Sequence, residues 1–329
     1  MDADAIPDVG RTGGLVGHLG SAAINNSYAT GNVRPITRAF LLSIASTLPL
    51  PAPMVSVTSM DPRIGGLVGG LNNNNVIAGG GVIDNSYSTG TVLGGMDVGG
   101  LVGHSSDGTI TKSYSSSTSV MGDQDVGGLV GELITTMVFK SYANSTTNGQ
   151  QYTGGLIGSF NDSVISLSYA SGAVSGSLAG SGTGGLVGNL EGGTAMTPTS
   201  ATIADSFATG NVSGGFRVSG LVGGIAPFTT GSIQRAYAFQ SSIVGADVAT
   251  LLALVGENAS GGMGFSGLFY NDALLFLPQP VSDSLGDNKT LASLLGAPGT
   301  AYLTGKGFTF GAGAWKSQNT ILPYLDWMP

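Results

Sequence analysis

The sequence predicts an all-β chain, a right-handed parallel β-solenoid of about seven to eight coils with a C-terminal aromatic-rich cap. Three observations carry that expectation. A stretch such as Val126-Gly127-Gly128-Leu129-Val130-Gly131 recurs on Leu15, Leu67, Leu101, Leu129, Leu156, Leu186 and Leu221, with a degenerate eighth at Leu254. An aromatic column runs beside it at Tyr28, Tyr87, Tyr114, Tyr142, Tyr169, Phe207 and Tyr237, and Tyr28, Tyr114, Tyr142 and Tyr169 each follow their Leu by 13 residues. The Leu-to-Leu intervals of 52, 34, 28, 27, 30, 35 and 33 residues set a minimal unit near 27. Such a unit cannot bury its own apolar face, but stacked units can, with like residues in columns about 4.8 Å apart.

Each element of the unit has its own signal. Four residues before every aromatic stands Ile24, Ile83, Ile110, Val138, Ile165, Ile203 or Ile233. Even spacing on one strand places both side chains on one face, so Ile and aromatic are expected to point inward together. The residue before the aromatic is Ser in six of seven units and the one after it is Ala or Ser. Gly31, Gly90, Gly172 and Gly210 then suggest a turn in which Gly takes a positive φ. The Leu segment reads as a second strand entering a tight corner, with its Gly residues allowing close backbone approach; its parity leaves open whether Leu or Val points inward. A β-propeller blade needs four strands and about 40 to 50 residues, more than this unit holds.

Two regions break the period, which divides the chain into a solenoid over 1–270, with an insertion at 34–62, and a capping segment over 271–329. Within the insertion, Ile36 to Leu50 is apolar enough for a short helix or flap, expected to lean on the flank or cover the open first coil. Both Trp residues, Trp315 and Trp327, lie in the last fifteen positions, as expected of an aromatic cap on the final coil.

Composition narrows the function. Gly makes up 57 of 329 residues without a triplet period, which excludes collagen, and 41% apolar residues is too many for a disordered chain. Charged residues are 9% and the net charge is −8, so nucleic acid is not an expected partner. The most apolar segment, Ala39 to Leu50, is shorter than a membrane-spanning helix requires, and no membrane insertion is expected. A low-charge surface and the absence of Cys suit an extracellular or cell-surface protein that does not use disulfides.

The recurring Gly-Gly-Leu-Val-Gly with its downstream Ser-Tyr-Ala-x-Gly resembles the GLUG motif of bacterial and archaeal surface proteins. The same motif is known from filamentous-haemagglutinin-like adhesins and from non-catalytic regions of immunoglobulin A peptidases. Thr290 to Leu295, Phe308, Trp315 and Pro323-Tyr324-Leu325-Asp326-Trp327 resemble the segment that often follows such repeats. The resemblance implies a surface-displayed adhesive or spacer segment, with surface carbohydrate or protein as partner. It does not extend to the peptidases' catalytic parts, because no His-Glu-x-x-His occurs.

Candidate chemistry is sparse. Four positions before the Leu column stand Arg11, Arg63, Asp97, Asp125, Tyr152, Gly182 and Arg217. Arg63 above Asp97 is a natural cross-coil pair, whereas Asp97 above Asp125 stacks two carboxylates, which with Asp123 form a candidate calcium site. His18 and His104, the two His residues, each follow a column Leu by three, with Glu132 equivalent to His104 one coil on. Zinc could use such ligands, but Gly70 separates His18 from His104, and the solvated structural reading is favoured. Gly180-x-Gly182-x-x-Gly185 matches a dinucleotide fingerprint only formally, since it leads into a strand. Asn25, Asn144, Asn161, Asn211, Asn258 and Asn288 head glycosylation triplets that chance can produce in this composition. The sequence therefore points to a non-enzymatic adhesive, spacer or structural segment without a cofactor. Self-assembly into an extracellular filament through the solenoid ends is one alternative, and a polysaccharide-cleaving β-helix enzyme is another.

Overall fold

The computed structural model describes residues 10–34, 63–72, 80–271, 275–277, 285–311, 315–317 and 322–328. It is a parallel β-solenoid. The fourth coil shows the unit: strands Gln124–Gly127, Val130–Ile134, Met137–Phe139, Tyr142–Ala143 and Thr146–Gly149. Each of the five pairs only with its counterparts in neighbouring coils, giving three ladders of eight strands, one of nine and one of seven. Register follows the columns read from sequence: Ile110 pairs with Val138, Tyr114 with Tyr142 and His104 with Glu132. Residues 35–62, which hold the expected insertion apart from Arg34, lie outside the described residues.

The Leu corner resolves the parity left open by the sequence. The chain bends at the second Gly and the Leu, so Leu101 and Val102 both turn into the main core and both are fully buried. After the bend, the second strand returns along the first at backbone contact. A Cβ on Gly127 would lie 1.8 Å from the Val130 carbonyl oxygen, and one on Gly131 would lie 2.5 Å from the backbone of Asp97 and Val98. No side chain fits between these strands.

The aromatic column departs from expectation. Ile110 is buried in the core, but Tyr114 projects outward, and Ser115 turns inward in its place. The cause is a corner residue in the left-handed region at Asn26, Asn85, Lys112, Lys140, Leu167, Asp205 and Arg235, with φ of 46° to 49°. It divides the expected single strand into two short ones and reverses the parity, so Ile and aromatic end on opposite sides. Gly31, Gly90, Gly172 and Gly210 do not take a positive φ; Gly90 and Gly210 are needed for close approach, a Cβ there standing 2.0 and 1.8 Å from the carbonyl of the preceding column Gly.

The Ser before the aromatic repairs this corner. The Ser86 hydroxyl donates to Asp84 O at 2.8 Å, while the Ser86 amide donates to the Ser113 hydroxyl one coil on at 3.1 Å. The same pair of bonds recurs at Ser113, Ser141 and Ser168. The hydroxyl column thus satisfies amides that the corner withdraws from the backbone ladder.

The segment read as a terminal cap also extends the solenoid. Asp287–Lys289 pairs with Phe269–Asn271, and Leu275–Leu277 pairs with Ser242–Val244. α-Helix among the described residues is confined to Leu291–Leu294 and Gly296–Gly305.

Gly127→Ala is expected to destabilise the chain by about 1–3 kcal/mol, the usual cost of overpacking. Gly31→Ala, where an added Cβ meets nothing within 4 Å, is expected to leave the thermal midpoint unchanged. Paired melts followed by circular dichroism compare the two.

Candidate functional site

Two features stand out from the repeat: a buried polar seam and an outward aromatic column. The seam forms where the first and second strands meet. One side carries Arg63, Asp97, Asp125 and Tyr152, and Asp97, Asp125 and Tyr152 are held in the left-handed region with φ of 46° to 52°. The other side carries Gly70, His104, Glu132 and Ser159, which are consecutive partners in the second ladder. In the third coil Asp97 and His104 face each other, and in the fourth Asp125 and Glu132 occupy the equivalent positions.

The groups converge closely. His104 Nδ1 lies 2.6 Å from Glu132 Oε2 and 3.5 Å from Asp97 Oδ2, and Arg63 Nε lies 3.4 Å from the same Asp97 oxygen. Burial opposes protonation of His104, but its hydrogen bonds to Asp97 and Glu132 outweigh that and raise its pKa above the ordinary value. Asp125 is 4% exposed. Burial, reinforced by the negative charges of Asp97 and Glu132, pushes its carboxyl up to about 8. Gln124 donates to Asp125 Oδ2 at 3.0 Å, whereas Asp125 Oδ1 is buried without a hydrogen-bond partner.

The aromatic column stacks from Tyr28 through Phe269, with successive ring centroids 4.7 to 5.1 Å apart. Its C-terminal part is covered by a strap in which Trp315–Lys316 pairs antiparallel with Tyr324–Leu325. Trp315 Nε1 donates to Asp205 Oδ1 at 2.9 Å, and Arg235 holds the same carboxylate through two bonds of 2.7 Å. The Tyr237 hydroxyl donates to Pro323 O at 2.7 Å, and Trp327 packs on Tyr142 and Tyr169. The terminal aromatics therefore do not merely close the last coil; they fold back along the flank. A groove of about 410 Å³ remains between column and strap, lined by Tyr169, Ser171, Phe207, Thr209, Tyr237, Leu322, Pro323, Tyr324 and Met328. Among the described residues of the strap, none makes a ring contact with Tyr28, Tyr87 or Tyr114; Tyr28 is 60% exposed, and Tyr87 and Tyr114 are half-buried.

The family model "The GLUG motif" matches residues 8–34 and 94–120, which span the Leu15 and Leu101 coils. Two stretches of the chain thus match the GLUG motif. No curated protein matches it in sequence. In fold it is similar to a crystal structure of a "putative immunoglobulin A1 protease" from Bacteroides ovatus, with a TM-score of 0.51, 14% identity and 92% of each chain covered. At that identity the likeness shows the fold alone.

Set on the GLUG coils, the residues singled out by sequence separate. Arg63 pairs with Asp97 as expected. Asp97 and Asp125 are both buried in the seam, but Asp123 is exposed and accepts a hydrogen bond from Gln150. His18 is exposed in the first coil, with Gly70 between it and His104. The group that meets is Asp97, His104 and Glu132, whose ligand atoms all lie within 4.8 Å of one another. Sequence reading found the two columns that contribute these residues without seeing that they face each other. The available signal was the Gly two positions after every column Leu, from Gly17 to Gly256, which brings the two strands into contact. Gly180 to Gly185 lies along the first strand of the sixth coil, Ser181–Gly184, as the sequence reading required.

A carboxyl whose pKa is raised on folding contributes fully below its unfolded value, and that contribution is lost as pH rises toward the folded value. For Asp125 the window runs from about 4, the ordinary carboxyl range, up to about 8. The raised His104 acts in the same sense, its contribution being lost as pH rises above the ordinary imidazole range. Asp125→Asn is therefore expected to match the parent near pH 4 and to exceed it in stability at pH 8. The parent's slope should flatten by up to about 1.4 kcal/mol per pH unit. Denaturant titrations across this range, in chelator, measure the difference.

Proposed function

We propose that this GLUG solenoid is a non-enzymatic extracellular segment, secreted or displayed at a cell surface, that acts as an adhesive or spacer rod. The observation behind the reading is the incompletely covered aromatic column. The strap packs on it from Phe269 back to Tyr142, and the rings of Tyr28, Tyr87 and Tyr114 continue beyond it as a strip of phenol edges. Charged residues make up only 9% of the whole chain, and beside these rings Lys112 is paired with Asp84. Stacking occupies the ring faces and leaves the phenol hydroxyls outward, a row of donors and acceptors suited to the hydroxyls of a neutral carbohydrate lying along the coils. Without such a ligand, the same rod still separates what is joined to its two ends.

A second reading, self-association through the first coil, is favoured by Leu15. It is 50% exposed, whereas its counterparts from Leu67 to Leu254 are fully buried. Exposed strand edges with apolar residues are natural sites for pairing with another chain.

A panel of neutral polysaccharides in pull-down, together with negative-stain electron microscopy over a concentration series, tests both readings. Adhesion predicts isolated rods that retain a polysaccharide, with retention falling at least tenfold in Tyr87→Ala/Tyr114→Ala. Isolated rods that retain nothing would restrict the role to spacing. Long uniform fibres would replace the adhesive reading with self-assembly.

A further inference from the structure

The seam contains one place where the repeat's polar chemistry is concentrated and unbalanced. Asp97, His104 and Glu132 bring two carboxylates and an imidazole to one point between the third and fourth coils. Asp125, the seam counterpart of Asp97 one coil on, is 4% exposed and has one carboxylate oxygen without a partner. A buried carboxylate oxygen gains no compensation for lost water unless a donor or a cation meets it. Among the described residues, the protein offers that oxygen neither.

We propose that Asp97, His104 and Glu132 form a binding site for a divalent transition metal, with zinc the best fit, that clips the third coil to the fourth beside the buried Asp125. His104 Nδ1 and the Asp97 and Glu132 oxygens already point at one another, at 2.6 and 3.5 Å from the imidazole nitrogen. Zinc bonds of about 2.0–2.2 Å in tetrahedral arrangement place ligand atoms about 3.3 Å apart. Small side-chain rotations bring these atoms to that spacing, because His104 and Glu132 are paired neighbours in a rigid ladder. Water completes the coordination, and the buried Asp125, which follows Asp97 in the seam, adds its negative charge beside the site. An imidazole in the set disfavours calcium, which takes six to eight oxygens, and magnesium, which retains several waters. The coils on either side explain why the site is confined to this step: Gly70 precedes His104 in the ladder and Ser159 follows Glu132, and neither brings a strong ligand.

Isothermal titration of the chelator-treated full chain with zinc chloride tests the proposal, alongside elemental analysis after dialysis. The expected result is one equivalent of zinc and a higher thermal midpoint in zinc than in chelator. His104→Ala and Glu132→Gln should lose binding by at least a hundredfold, Asp125→Asn should weaken it about tenfold, and Asp123→Ala should bind as the parent does. Each variant is checked for intact rods by electron microscopy. Cobalt(II), used on the parent chain, should develop the intense visible absorption of a tetrahedral site, and added zinc should abolish it. Absence of stoichiometric zinc binding by the parent overturns the proposal. So does unchanged binding in folded His104→Ala, or preferential uptake of calcium over zinc.

Discussion

The structure depends on the contact between the first and second strands of each coil, where backbone meets backbone without side chains between. The Gly residues flanking the Leu corner make this possible, and a Cβ at Gly127 or Gly131 would overlap main-chain atoms. Because the two strands touch there, the Leu and the Val after it are both driven into the same core, a result that simple alternation along one strand does not produce. The seam is the other consequence: side chains on the adjoining positions, displaced from the glycine contact, are forced to face each other.

The second constraint is the left-handed corner before the aromatic. Holding a non-glycine residue there costs of order 1 kcal/mol or more, and the structure sustains it in seven coils. The Ser column offsets part of that cost by supplying an acceptor for the displaced amide and a donor for the carbonyl two residues back. The small residue after the aromatic has a coupled reason. A Cβ on Gly128 would already stand 3.0 Å from the Ala143 Cβ, so from the first coil to the seventh the inward position beside the corner is held by Ala or Ser. The two columns recognised in the sequence are thus two sides of one packing contact.

How much was legible follows from how each constraint is written in the residues. Core positions were legible because Leu, Val and Ile recur at fixed offsets, and the ladders pair those columns as the sequence spacing requires. The outward aromatic was not legible, because the corner that reverses parity is occupied by Asn, Lys, Leu, Asp and Arg and lacks a glycine signature. The conserved geometry lies in the backbone and its Ser bonds, while the side chain at the corner varies freely. For the same reason the seam was read as two unrelated lists: its left-handed positions, from Asp97 to Arg217, share a φ and almost no chemistry. Asp123 was joined to Asp97 and Asp125 by its closeness in sequence, but Asp123 is exposed whereas Asp125, two residues on, is buried.

A solenoid divides its sequence between positions that keep the coil and positions that do not, and the informative departures are those in the second class. The seam shows this in its charge. Arg63 pairs with Asp97, and Arg217 pairs with Glu257 farther along, but between them Asp125 and Glu132 leave two carboxyls against one imidazole. Where no cation is bound, protons must make up the difference, which is the physical meaning of a raised His104 and an Asp125 pushed to about 8. The aromatic flank departs in another way. Its rings repeat through eight coils, and the described residues of the strap meet them from Phe269 back to Tyr142, anchored by the Asp205–Arg235–Trp315 network. The backbone ladder and ring stacking already hold the column from coil to coil, so what the strap adds is apolar cover for the last coils, where Tyr237 and Phe269 are buried with it in one cluster.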